Sequence, residues 1–404
     1  MNVRRFGVLA AVGAIMLAGA VNAGAEPDGR LDPVAGRASA PQLKAETPPA
    51  RYVPVTPRRV LDTRDYNGPL GAGGTVTVDM TGRIADTATA VVLNVTATAP
   101  TAATYITAYP SDQPRPVASN LNVVTGDTRA NAVTVALSAD RLVTFYNQFG
   151  KTHLVVDLAG YYATDQGAGF TAEYTPQRVL DTRYSGPVGA GGVVNAQLNL
   201  ASWDRPTAAV LNVTAVDASA STFVTAYTPG TPLPLASSLN SGPGQIVPNQ
   251  VTVPLNNGRA VSLYNKNGYV HLVVDVIGYY RNGSGSDFVA ITPVRFMDTR
   301  PDGGLYPDSD GISLTGWGPD IDAVAANLTG TNPTANQYVS VWPGGAPRPN
   351  SSNLNLVYGQ TAANAVTVGV GYENVVEDYA VNFVNNAGYV DLIFDVAGFF
   401  VAPE

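Results

Sequence analysis

Cysteine is absent from the sequence. Disulfides, thiolate metal sites and cysteine nucleophiles are thereby excluded, and any fold must hold by packing and hydrogen bonding alone. Histidine occurs only at His153 and His271, too sparsely for a coherent Ser–His–Asp constellation. Charged residues make up 13% of the chain, with no run of Lys or Arg in its body, and the formal net charge is −8. Such a chain is a poor partner for nucleic acid or an anionic membrane surface. It has no phosphate-cradling loop and no dinucleotide glycine motif, and no cofactor is expected. After the first 25 residues no helical period of useful length occurs.

Apolar residues reach 45%, with Gly 41 and Pro 30 and abundant Thr, Val and Asn. This is a folded composition of many short strands and turns. Residues 1–25 read as an export signal: Arg4 and Arg5, an apolar core from Phe6 to Val21, then the small residues Ala23-Gly24-Ala25. The alternative is an uncleaved anchor. Cleavage would remove two positive charges and take the net charge from −8 to −10. The expected location is extracellular, with cell-wall association as a variant, and no membrane contact is expected after cleavage. Residues 26–50 lack apolar periodicity and read as a Pro/Ala-rich spacer.

The rest of the chain is organised around Val60-Leu61-Asp62-Thr63-Arg64. It returns as Val179-Leu180-Asp181-Thr182-Arg183 and, altered, as Phe296-Met297-Asp298-Thr299-Arg300. Three blocks result, 51–164, 165–283 and 284–404, each long enough to be a domain rather than a solenoid unit. The first block shows about eight strands: Arg59–Arg64, Thr75–Met80, Ala90–Thr98, Tyr105–Tyr109, Ser119–Val124, Asn131–Leu137, Leu142–Tyr146 and His153–Tyr162. The expected fold is all-β, three tandem antiparallel β-sandwich domains of jelly-roll type, with closed barrels as the alternative.

The combination Val-Leu-Asp-Thr-Arg, Val92-Leu93-Asn94-Val95-Thr96, Ser119-Asn120-Leu121-Asn122 and Val156-Asp157-Leu158-Ala159-Gly160-Tyr161-Tyr162 resembles a repeat found in secreted actinobacterial proteins. Those proteins often carry several copies, sometimes beside cell-wall or hydrolase domains. The resemblance covers about 350 residues. It implies an exported, repeat-built surface protein and implies no reaction. Block three departs from it at its opening, and Phe399-Phe400 replace the tyrosine pair.

Asp157 sits inside an apolar strand, where a lone carboxylate is costly. Asp62 and Arg64, two apart, share one strand face. The expectation is an ion pair between Arg64 and Asp157, repeated as Arg183 with Asp275 and Arg300 with Asp395, joining the ends of each block. Asp181 and Asp298 take the place of Asp62. The catalytic alternative makes Asp62 and Asp157 a glycosidase pair. The asparagines Asn94, Asn212 and Asn327, and Asn131, Asn249 and Asn364, recur in or beside strands; they are expected to satisfy backbone groups, with sugar recognition as the alternative. Asn122, Asn240 and Asn355 recur likewise.

A ligand platform is suggested by Tyr105 and Tyr109, Phe223 and Tyr227, and Tyr338 and Trp342, each pair flanking a hydroxyl residue. The alternative is that these rings pack across the sandwich. His153 and His271 give way to Asp391 in block three, so no shared metal site is expected. Asp302, Asp308 and Asp310 lack the closing acid of a calcium loop. These readings lead to a non-enzymatic surface protein that binds polysaccharide or a cell-wall polymer through repeated weak sites. The alternatives are a spacer or assembly subunit that binds other proteins, and a glycan-active hydrolase.

Overall fold

Runs of Val, Thr and Tyr broken by Gly, Pro and Asn form strands and turns throughout. The computed structural model describes residues 46–65, 68–307 and 311–403. The expected signal peptide, most of the expected spacer, and Asp308 and Asp310 lie outside the described residues. The first block contains β1 (Arg51–Asp62), β2 (Thr75–Asp79), β3 (Ala88–Thr98), β4 (Thr104–Pro110), β5 (Leu121–Val123), β6 (Thr128–Ala136), β7 (Leu142–Asn147) and β8 (His153–Ala163). They make two antiparallel sheets, ordered β1-β8-β3-β6 and β2-β7-β4-β5. Blocks two and three repeat both orders, and block three adds the short strand Gly371–Glu373. In block one, Val91, Leu93 and Val95 of β3 and Leu154, Val156 and Leu158 of β8 meet Ile106 of β4 and Phe145 of β7 in one core.

The expectation of three tandem sandwiches, or of closed barrels, is corrected here. The six sheets are small and open, and they form a ring within one compact unit that holds the described residues. The reason is a further core that no single block owns. Tyr52, Tyr162, Phe170, Tyr280, Phe288 and Phe400 are all buried in one cluster with small residues such as Ala90, Ala208 and Ala323. Rings from different blocks pair in a cycle: Tyr52 stacks on Tyr280 at 4.2 Å, Phe288 on Tyr162 at 4.2 Å, and Phe170 lies 4.6 Å from Phe400.

A β-bulge aims the last-strand rings into this cluster. Pairing of β3 with β8 jumps from Val92↔Gly160 to Leu93↔Leu158, leaving Ala159 unpaired. Strict alternation would send Tyr162 to the same side as Leu158; the extra residue reverses the sides, so Tyr161 joins the block's own core and Tyr162 the shared one. Tyr52 donates its hydroxyl proton to the Ala159 carbonyl at 2.9 Å. Gly160, Gly278 and Gly398 leave room for Tyr52, Phe170 and Phe288, whose rings a Cβ would overlap.

Backbone bridges close the same cycle. Tyr52 pairs with Ala168, Phe170 with Ser286, and Phe288 with Ala50. The last of these joins the start of block one to the first strand of block three, reinforced by Arg51–Asp287 at 2.8 Å and by the Thr47 hydroxyl donating to the Ala290 carbonyl at 3.2 Å. The end of the expected spacer is therefore part of the ring.

An asparagine belt crosses the block interfaces. Asn131 donates to Asn327 at 2.9 Å, Asn249 to Asn94 at 2.9 Å, and Asn364 to Asn212 at 3.3 Å. Asn94, Asn212 and Asn327 in turn donate to the carbonyls of Ser237, Ser352 and Ser119 on the next block round. A side-chain amide offers both donors and acceptors, so it can satisfy strand edges that no ladder reaches.

Phe288→Ala should cost about 3–5 kcal/mol, because a buried ring leaves a cavity behind. The loss should appear in the thermal unfolding of all three blocks together. Gly160→Ala should also destabilise, by about 1–3 kcal/mol, through overpacking against Tyr52. A melt unchanged by either substitution would contradict the shared core.

Candidate functional site

The repeated Asp-Thr-Arg motif builds a charge ladder in each block. Asp157 is 1% exposed, and its partner is Arg59 rather than the expected Arg64: Arg59 Nε donates to Asp157 at 2.9 Å. Arg59 Nη1 also donates to Asp62 at 2.8 Å, and Arg64 Nε donates to Asp62 at 2.8 Å. The order is Asp157–Arg59–Asp62–Arg64. Blocks two and three repeat it as Asp275–Arg178–Asp181–Arg183 and Asp395–Arg295–Asp298–Arg300. Alternation from Arg64 misled because the pairing of β1 with β8 slips between Arg59↔Asp157 and Leu61↔Val156. The slip puts residues 59 and 62 on one side and moves residue 64 out to the rim. Arg59, Arg178 and Arg295 recur at the same spacing as Arg64, Arg183 and Arg300, and that recurrence was the available signal.

The threonine between them is buried. Thr63 Oγ1 accepts from the Leu154 amide at 2.9 Å, as Thr182 does from Leu272 and Thr299 from Leu392 at 2.8 Å. His153 Nδ1 lies 3.2 Å from Thr63 Oγ1, and the histidines serve as strand-end partners. Among the described residues no group of three or more His, Asp or Glu is placed to hold a metal.

Arg64 hydrogen bonds hold Asp62 down at about 2, and Asp181 and Asp298 are lowered by Arg183 and Arg300 in the same way. Burial instead raises Asp157, Asp275 and Asp395, against their arginine bonds. Asp157, buried and tied to Arg59, is poorly placed to reach a glycosidic bond.

The aromatic strand residues lie on the side of β4 away from the core, since Ile106 and Ala108 point into it. Chain covers much of that side. Thr107, Thr225 and Ser340, between the rings, donate to the carbonyls of Ala118, Ala236 and Ser351 in the following connection. Tyr109 and Trp342 are buried, while Tyr105, Phe223, Tyr227 and Tyr338 are half-buried. Tyr105 and Tyr146 both donate to Gln148 Oε1, at 2.9 and 2.8 Å, and Arg115 lies 3.9 Å over the Tyr146 ring.

Several exposed rings stand where the turns meet. The β1–β2, β3–β4, β5–β6 and β7–β8 turns are tied together: Gly73 N donates to Asn147 O, Thr101 N to Lys151 O, and Gly126 N to Pro100 O, each at 2.9 Å. Buried Asn147 donates to Leu70 and Gly71 across the turns, and Asn265 and Asn385 hold the matching places. Gly150, Gly268 and Gly388 adopt φ of 54–55°, where glycine is favoured. A small cavity of about 40 Å³ lies between the turn ends of the three blocks, lined by Asn122, Asp127, Ile246 and Gln360 among others. Phe149, Tyr269, Tyr306 and Tyr358 stand exposed on these turns, Tyr269 at 62% and Tyr358 at 76%. The pattern of single aromatics in turns carried no strand signal and was missed in the sequence.

No family model matches the chain, and no curated protein matches it. Two solved structures align along most of it. One is described as the triple jelly roll fold and turret assembly in an archaeal virus, with 9% identity, 88% of this chain and 91% of that chain covered, and a TM-score of 0.21. The other is described as the atomic structure of Sulfolobus Turreted Icosahedral Virus, also at 9% identity and TM-score 0.21, covering 88% of this chain and 92% of that one. A likeness at that score extends neither a fold nor a role to this chain.

Arg59→Met should destabilise by about 3 kcal/mol, because it leaves a buried carboxylate unpaired. Arg64→Met, at the exposed rim, should cost less than about 1 kcal/mol. Equal losses would contradict the ladder order. Asp62 is lowered relative to an unfolded value of about 3.9, so its stabilisation is full above that pH and disappears as pH falls towards 2. The raised Asp157, Asp275 and Asp395 act in the opposite sense, favouring the fold at low pH and losing that contribution as pH rises through their folded values. The melting gap between wild type and Asp62→Asn should therefore narrow as pH falls from about 4 to about 2; a gap independent of pH would contradict the assignment.

Proposed function

We propose that this is a secreted, non-enzymatic binding or display protein whose ligand is a polysaccharide or cell-wall polymer. The observation that carries the reading is the convergence of exposed Phe149, Tyr269, Tyr306 and Tyr358 on one end of a ring built from three blocks. Tyrosine rings with one open face suit stacking on sugar rings. Contacts from several blocks on one body act together without a strong single site. The export signal expected from the sequence and the resemblance to secreted repeats support the location. The neutralised, buried carboxylates support a role without catalysis at the ladder.

Assembly with other proteins is the second reading. Val117 and Leu235, at matching positions in the β4–β5 connections of blocks one and two, are 82% and 94% exposed, and such side chains suit a protein contact.

Co-sedimentation with insoluble cell-wall polysaccharide tests the first reading. Wild type should be retained, and the double variant Tyr269→Ala/Tyr358→Ala should lose about tenfold in affinity, consistent with about 1.4 kcal/mol of stacking. No retention of wild type, or equal retention of the variant, would contradict it. Self-association of the free protein without glycan retention would favour the assembly reading.

A further inference from the structure

Block one carries a groove whose arginines are not repeated at the matching positions of the other two blocks. It has a volume of about 440 Å³ and is lined by Arg58, Arg59, Val60, Leu61, Asp62, Asp65 and Arg83. Arg59 and Asp62 belong to the charge ladder and neutralise one another. Arg58 and Arg83 do not. Among the described residues neither lies within ion-pair distance of a carboxylate.

Both guanidiniums are held in place by backbone. Arg58 donates one N–H to the Arg83 carbonyl, and Arg83 Nη1 donates to the Val60 carbonyl at 2.9 Å. Both side chains are exposed at the groove, and one bond each tethers them while leaving further N–H groups for a ligand, since a guanidinium carries five donors. Pre-positioned planar forks of this kind match the two oxygens of a carboxylate. The half-buried Val60 and Leu61 supply an apolar wall, and exposed Asp65 supplies an acceptor at the rim. The volume is suited to a single sugar ring with its substituents.

The other blocks remove the charge. Gln177 and Val294 stand where Arg58 stands, and Ala201 stands at the spacing of Arg83 in block two. In block three Trp317 stacks on Phe296, which matches Val60, at 4.2 Å. Apart from this groove, the three blocks keep the same ladder and the same belt.

We infer that this groove is a binding site for an acidic sugar unit, with its carboxylate on Arg58 and Arg83, its ring against Val60 and Leu61, and a hydroxyl on Asp65. The inference stands apart from the turn-end reading, because it names different residues and a charged ligand.

Calorimetric titration of the full chain with trigalacturonate, maltotriose and inorganic phosphate tests it. Trigalacturonate should bind, and binding should weaken steeply as NaCl is raised. Maltotriose should not compete, and phosphate should compete only weakly. Arg58→Gln/Arg83→Ala, which installs residues that block two already carries, should melt with wild type and bind trigalacturonate at least tenfold more weakly. Arg58→Gln alone should fall between. The inference is overturned if trigalacturonate does not bind at low salt, if the variants bind it as wild type does, or if phosphate or maltotriose matches it. Turn-end variants Tyr269→Ala/Tyr358→Ala should leave trigalacturonate affinity unchanged, so the failure of either reading is separable from the other.

Discussion

Burial on both faces of the β1-β8-β3-β6 sheet is the constraint from which the rest of the structure follows. One face packs on its own block's second sheet. The other carries Tyr162, Val92, Asn94 and Asp157, side chains that are apolar or that require a partner. A block standing alone would expose rings to water and leave amides unpaired, and both are costly. Three blocks in a ring cover one another, so each supplies the surface that the next one lacks. The aromatic cycle, the asparagine belt and the backbone bridges all obey the same order round the ring.

Closure sets what the charged residues can do. Asp157, Asp275 and Asp395 lie close to the block interfaces: Arg295 of block three, besides holding Asp395, donates to the Val117 carbonyl of block one at 2.8 Å. A buried ion pair adds little net stability over an apolar pair but penalises every arrangement that breaks it. The ladder therefore specifies how β1 meets β8 and how a neighbouring connection lies across them. With the frame fixed in this way, turns at one end are free to vary, and four of the exposed rings, Phe149, Tyr269, Tyr306 and Tyr358, stand on them. Block one varies further, at Arg58 and Arg83, without disturbing its ladder.

Much of this was legible in the sequence and some was not. The strands of block one fall within a few residues of their expected places, except that β1 begins at Arg51 rather than Arg59. Tyr52 and its bridge to Ala168 lie in that unexpected stretch, and with them the means of joining blocks. The run Leu154–Ala159, apolar apart from Asp157, is a sign of burial on both faces, since it lacks alternation. Two single-residue slips, at Ala159 and near Val60, decided which rings entered the shared core and which arginine met Asp157. Bulges depend on pairing between distant strands, and a local period does not reveal them. The cover over Tyr109 and Trp342 is not legible in the sequence, because the connection that supplies it is irregular chain with no pattern of its own.

The central claim is that the three blocks are one cooperative unit, and calorimetry of the wild-type chain tests it most directly. The account predicts a single heat-absorption peak whose van't Hoff and calorimetric enthalpies agree for the whole body. Resolved transitions, or a van't Hoff enthalpy near one third of the calorimetric value, would show blocks that unfold independently and would contradict it.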